Sequence, residues 1–247
     1  MHSLRGVGRG LSGQLRQRLR QIPFARPAVK RFRRLIRPAW LGTLRRTTPL
    51  STVWGADRGT PLDRFYIDRF LEEHRRDIRG RILEVGDSRY TDRFASEVVT
   101  SDVVDLDRAN RQATIIADLA SGHIINSDQF DCFLLIQTLQ YIYNPASAVR
   151  HAHRILRPGG VLLLTVPAVS RVDPALPDYW RFTASSCSAL LAEVFPPKGV
   201  SICSYGNVLA AIASLTGMAY EELSGHELTD SDEFFPLLIA ARATKMV

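Results

Sequence analysis

From about residue 78 onward, short apolar runs alternate with helical or turn-forming segments along the chain. The runs are Ile82 to Val85, Val98 to Val104, Ala113 to Ala117, Phe130 to Ile136, Val161 to Val166, Val200 to Tyr205 and Phe235 to Ala243. Each has the length of a strand, and strands interleaved with helices predict an α/β fold with a mostly parallel sheet. Val161 to Val166 is apolar on both faces, as a central parallel strand must be. The clearest helix runs from Asn144 to Leu156, with Asn144 as cap, Pro145 in the first turn, and Val149, Ala152, Ile155 and Leu156 as its buried stripe. It is expected to stop at Arg157-Pro158-Gly159-Gly160, where proline cannot continue a helix and glycine permits a left-handed turn. A second helix is expected over Asn207 to Leu223, packing through Leu209, Ile212, Ala213 and Leu215, and a third, charged one over Asp63 to Ile78.

Charge divides the chain of 247 residues. The formal net charge is +7, yet residues 1–50 hold twelve Arg and Lys30 with no Asp or Glu, leaving 19 basic against 25 acidic residues beyond them. Leu11, Leu15, Leu19 and Ile22, then Val29, Phe32, Leu35 and Ile36, recur at helical spacing among these arginines. Such a basic arm suits an anionic membrane surface or an acidic partner; a disordered cationic tail and an Arg-rich transit peptide share its composition. Nucleic acid is the least favoured partner, because the basic charge is not interleaved with aromatics and the rest of the chain is acidic. The expected organisation is therefore a basic arm over 1–50, a helical lid segment over 51–77 and one α/β domain over 78–247. No apolar run approaches the roughly 20 residues of a membrane span. Cys132, Cys187 and Cys203 lack CxxC spacing and read as small hydrophobes in a reducing cytoplasm.

Ligands of open α/β sheets bind beyond the carboxyl ends of the strands. The first strand ends in Glu84-Val85-Gly86, where Gly86 lets backbone approach a ligand without an intervening Cβ. Asp87, Ser88 and Arg89 follow where a dinucleotide fingerprint would carry more glycines, so a nicotinamide pyrophosphate would meet Asp87. Asp102 and Asp105 lie 16 and 19 residues beyond Gly86, close to the spacing of about 20 at which a carboxylate holds ribose hydroxyls. The apparent strand end favours Asp102, and the spacing favours Asp105. Asp118 and Leu119 follow the third strand, where the carboxylate suits an adenine amino group, and Gln137 closes the pocket after the fourth.

These acids, with FDCFLLIQTLQYIYN and RILRPGGVLLLTVP, resemble the core of class I S-adenosylmethionine-dependent methyltransferases over residues 78 to 166. DYWRFT at Asp178 to Thr183 and the closing FPLLIAARA are similar to that family too, and WGADRGTPLDRFYIDRFL at Trp54 to Leu71 is similar to methyltransferases found among bacterial glycan-assembly genes. The resemblance implies a Rossmann-like seven-stranded sheet flanked by helices, with S-adenosylmethionine as cofactor. Glu84 and Gly86 would then cradle the methionine portion, Asp102 or Asp105 the ribose, Asp118 and Leu119 the adenine, with Gln137 beside them. The narrower likeness implies O-methylation of a small-molecule, sugar or glycan acceptor; Tyr179, Trp180 and Arg181 after the fifth strand and Arg58 and Tyr66 of the lid segment are the candidate acceptor residues, and the basic arm would hold a cytoplasmic protein peripherally at the membrane.

The chain also departs from the family. Ser88 and Tyr90 replace the second and third glycines of ExGxGxG, and Tyr141 stands where relatives often have histidine. His123 and His151 read as surface residues, so no catalytic base is assigned, and no metal-ligand spacing occurs. A non-catalytic scaffold on the same sheet and a nucleic-acid methyltransferase are the competing readings.

Overall fold

The computed structural model describes Leu35, residues 42–121 and residues 124–246. The expectations for the arm before residue 42, Leu35 apart, and for His123 lie outside the described residues. Two compact units divide the chain, Met1–Thr47 and Thr48–Val247. In the first, the described part comprises Leu35, which is helical and exposed, and a 3-10 turn, Gly42–Leu44.

The second unit is built on seven strands: β1 (Gly80–Val85), β2 (Val98–Asp105), β3 (Ile115–Ile116), β4 (Phe130–Ile136), β5 (Leu156–Pro167), β6 (Val200–Tyr205) and β7 (Leu238–Thr244). They form one sheet in the order β3-β2-β1-β4-β5-β7-β6. Neighbours from β3 to β5 are parallel, and β7 runs antiparallel to both β5 and β6. The order reverses between β1 and β4, which places a crevice at their carboxyl ends. The helices are α1 (Leu62–Glu73), α2 (Arg89–Phe94), α3 (Pro145–Ile155), α4 (Ala184–Ala192), α5 (Val208–Thr216) and α6 (Gly225–Thr229).

Alternation along the strands supplies both faces of the sheet. Phe133, Leu135, Leu162, Leu164 and Ile239 join α3 and α4 in one core. Their sequence neighbours Cys132, Leu134, Leu163 and Leu238 join Phe70, Leu71 and Ala213 from α1 and α5 in the other. A strand apolar on both faces is thus sandwiched between helical layers, and each fully buried Leu or Phe contributes roughly 1.5–3 kcal/mol. Cys132 and Cys187 are buried and Cys203 is exposed, all as free thiols. No helix of the described residues is long and apolar enough to cross a membrane.

Several elements differ from expectation for identifiable reasons. The third strand shrinks to two residues, because Ala113 closes a turn onto Asn110 and only Ile115 and Ile116 pair with β2. The α1 helix ends at Glu73 and passes into a 3-10 turn, Arg75–Asp77. The α5 helix stops at Gly217 in the left-handed conformation (φ 78°), and a second turn and α6 follow. Its buried face is Ala210 and Ala213, whereas Leu209, Ile212 and Leu215 are exposed. Small alanines let the helix approach the layer beneath it, which decides the face when a helix is apolar all round. The α3 helix keeps its expected cap and stripe, burying Ala148, Val149, Ala152 and Ile155 while Asn144 Oδ1 accepts the Ser147 N–H at 3.0 Å, but it ends one residue early: Leu156 is extended and starts β5 by pairing with Phe130, so Arg157 to Gly160 lie in the strand. Asn144→Ala is expected to cost about 1 kcal/mol, read as a lower urea midpoint with an unchanged slope.

Candidate active site

A cleft of about 460 Å³ opens at the carboxyl ends of β1, β2 and β4, lined among others by Glu84, Gly86, Asp105, Asp118, Leu119 and Gln137. These are six of the seven residues assigned to the cofactor from the sequence, and the structure gathers them in one place. Asp102 is the exception. Its carboxylate faces away, taking hydrogen bonds from Arg81 at 3.0 and 3.1 Å and from Thr114 Oγ1 at 3.0 Å. Strand β2 continues to Asp105, so the residue at the strand end and the residue at the expected spacing are one.

Glu84 lines the cleft but its carboxylate is already committed. It is 2% exposed and accepts hydrogen bonds from Tyr90 N (3.0 Å), Thr91 N (2.8 Å) and Thr91 Oγ1 (2.8 Å). Burial nevertheless pushes its pKa up, with these bonds opposing. Glu84 thereby fixes the start of α2 and the loop that Gly86 begins. Gly86 has φ 83°, and a Cβ there would meet nothing within 4 Å, so it would project into open space. Asp87 also lines the cleft; desolvation opposes its charge, but hydrogen bonds and charge from Arg89 hold it below the usual carboxylate range.

Asp105 accepts the Asp107 N–H at 2.9 Å and an amide hydrogen of Asn110 at 2.6 Å. The same Asn110 nitrogen donates to the Gly86 carbonyl at 2.6 Å, clipping the loop after β1 to the loop after β2. Asn110 had no signal in the sequence, being one polar residue of a polar loop. The Asp118 carboxylate accepts the Ala120 N–H at 2.7 Å, and Leu119 packs against the core beside it. Carboxylates at two stations along an apolar-walled cleft suit a molecule with a diol at one and a flat amino-bearing ring at the other.

The departures from the glycine pattern leave this space open. Ser88 turns its hydroxyl to Asp92 at 2.8 Å. Tyr90 is buried, its ring stacked near Phe94 and its hydroxyl bonded to Arg64, which also lines the cleft. Ile136 and Thr138, read from the sequence as closing the pocket with Gln137, line the cleft, and so do Tyr141, Ile142 and Leu176, which the sequence did not assign to it.

The expected acceptor residues are placed differently. Tyr66 is 1% exposed inside the core against Phe65 and Tyr205, and does not line the cleft. Arg58 pairs with Glu222, its Nε donating at 3.0 Å, while Thr60 bonds Glu221, so this segment is strapped to the turn after α5. Arg181 is engaged by Asp178 at 2.9 Å and by the Arg171 carbonyl at 2.7 Å, clasping the loop after β5. Asp178 is held below the ordinary carboxylate range chiefly by that hydrogen bond from Arg181. Tyr179 and Trp180 lie on an exposed rim: Tyr179 meets Tyr143 edge to face at 5.4 Å, and Trp180 Nε1 donates to the carbonyl of Ile142 at 3.0 Å.

A methyltransferase-domain family model matches residues 57–206. Among solved structures, an S-adenosylmethionine-dependent methyltransferase from Mesorhizobium loti is similar at 16% identity and a TM-score of 0.51, covering 74% of this chain and 99% of its own. An S-adenosylmethionine-dependent methyltransferase from Archaeoglobus fulgidus is similar at 11% identity and a TM-score of 0.50, covering 74% and 94%. At these identities the likeness is one of fold. No curated protein matches the sequence. The family match spans more than half of the chain, from α1 through β6, and this protein belongs to the methyltransferase-domain family.

Proposed function

We propose that the protein is an S-adenosylmethionine-dependent methyltransferase that O-methylates a sugar or glycan intermediate. The observation that carries the cofactor assignment is the cleft itself. Gly86 leaves room where the methionine portion would lie, Asp105 stands at the strand end for the ribose hydroxyls, and Asp118 with Leu119 offers a polar and an apolar contact for adenine. When bound, the cofactor supplies a methyl group already activated by a sulfonium. The chain has to orient the acceptor in line with that group and exclude water. Glu84 contributes by fixing the start of α2, and Asn110 by tying the loop after β2 to the Gly86 carbonyl.

Support for a sugar comes from the rim. Tyr143, Tyr179 and Trp180 are exposed beside Ile142, which lines the cleft, and aromatic faces suit the apolar face of a sugar ring. The basic residues of 1–50 fit attachment of a cytoplasmic enzyme to an anionic membrane where glycans are assembled. Full-length protein incubated with methyl-labelled S-adenosylmethionine and a panel of nucleotide sugars and lipid-linked saccharides is expected to label a hydroxyl of one of them. Labelling of a nitrogen or of RNA instead would contradict the acceptor class, and cofactor binding without transfer to any acceptor would favour the scaffold. Binding to vesicles containing an anionic lipid, and not to neutral ones, is the expected result for the arm.

A further inference from the structure

We propose that Asp63, on the first turn of α1, is the general base that takes the proton of the methyl acceptor, with Gln137 as its hydrogen-bonding partner; the inference rests on the methyltransferase reading above. Both residues line a second, much smaller cavity of about 20 Å³. Gln137 also lines the cofactor cleft and is the wall the two spaces share. A space of that size admits one water, or one hydroxyl at the edge of a larger molecule.

The polar groups around the cavity match a hydroxyl. Gln137 Oε1 accepts from Gln140 Nε2 at 3.3 Å, which turns Gln137 Nε2 the other way, buried and without a partner. An unsatisfied N–H donor on one residue lining a small space and a carboxylate on another are complementary to an O–H group, which accepts from the first and donates to the second. The backbone is also strained here: Gln137 (φ 48°) and Trp54 (φ 57°), which forms another wall, are two of the four non-glycine residues with positive φ among those described. Such strain concentrates where a site needs a side chain held in place. The Arg171 guanidinium, 3.5 Å over the Trp54 ring, backs that wall.

Asp63 is half-buried; desolvation is the largest influence on its carboxyl and raises its pKa, against the charge of Arg64 and hydrogen bonds from the backbone of Arg64 and of Asp63 itself, and a raised pKa brings a carboxylate nearer to the range of an effective base. Arg64 and Asp68 on α1 act on it by charge, and the Tyr90 hydroxyl of α2 is coupled to it. The walls from the ends of β4 and β5, from α5 and from the start of β7 carry no titratable side chain. In the step proposed, the acceptor oxygen forms its bond to the methyl carbon as the sulfur–methyl bond breaks with its electron pair left on sulfur. The O–H proton passes to the Asp63 carboxylate and from there to water.

The test needs no acceptor. S-adenosylmethionine and S-adenosylhomocysteine share every charged group except the sulfonium, so only the former senses a carboxylate facing the methyl. Full-length protein is titrated with each between about pH 5 and about pH 8. An opposite charge within about 4–6 Å lowers a carboxylate pKa by one to three units, so S-adenosylmethionine affinity should rise about tenfold or more as Asp63 ionises, relative to S-adenosylhomocysteine. Asp63→Asn should abolish that rise and leave S-adenosylhomocysteine affinity unchanged. A folded-state pKa above the unfolded value means that ionisation costs stability as pH rises through it. Asp63→Asn is therefore expected to melt higher than wild type near pH 8 and alongside it near pH 4. Identical pH profiles for the two ligands, a profile surviving in Asp63→Asn, or a variant that melts lower at every pH would overturn the proposal while the methyltransferase reading stood. Failure of folded protein to bind either ligand would remove that reading instead.

Discussion

Replacing Gly86 by leucine is expected to lower affinity for S-adenosylmethionine more than about 100-fold, a loss of at least roughly 2.7 kcal/mol, while the protein still folds. Two effects add. At φ 83° a side chain is strained, by roughly 1–2 kcal/mol for a left-handed residue. The new side chain would also occupy the open space that the cofactor needs, since nothing of the protein lies within 4 Å of the Cβ position. That same emptiness is why the fold survives: no neighbour has to move. Calorimetric titration paired with a thermal melt separates the effects, with binding lost and the melting temperature lowered by only a few degrees.

Asp105→Ala is expected to weaken the same binding by about 10- to 100-fold, because hydrogen bonds to a charged carboxylate contribute roughly 1.5–3 kcal/mol. The matched control is Asp102→Ala. Its carboxylate serves Arg81 and Thr114 at a place outside the cleft, so cofactor affinity should stay within about twofold of wild type. Equal losses in the two variants would show that the ribose site is misplaced.

That pair of aspartates marks how much could be read from the sequence. The strands were legible because buried parallel strands need apolar residues on both faces, and Phe133 against Cys132 or Leu162 against Leu163 shows that requirement met. The end of β2 was read two ways, the apolar run reaching Val104 while Asp102 was taken as the strand end. Its last residues, Val104 and Asp105, are held extended by Ile115 and Ile116 across the sheet, a contact no local pattern encodes. Gly217 did carry a stop signal, but the apolar residues of α5 suggested a longer helix and a buried face that the alanines supply instead. Tyr66 looked available for substrate because aromatic residues on an exposed helix face and on a buried one read alike; packing against Tyr205 settled its direction. The Asn110 clip, and the placing of Asp63 and Gln137 on one cavity, depend on segments brought together only when the sheet closes.

The proposed function requires that the cleft beyond β1, β2 and β4 hold S-adenosylmethionine. Calorimetric titration of the full-length protein with S-adenosylmethionine and S-adenosylhomocysteine tests it most directly. One molecule of each is expected to bind per chain, with both affinities reduced in Asp105→Ala and both lost in Gly86→Leu. A folded, monodisperse sample that binds neither, or one whose binding is indifferent to both substitutions, would contradict the account.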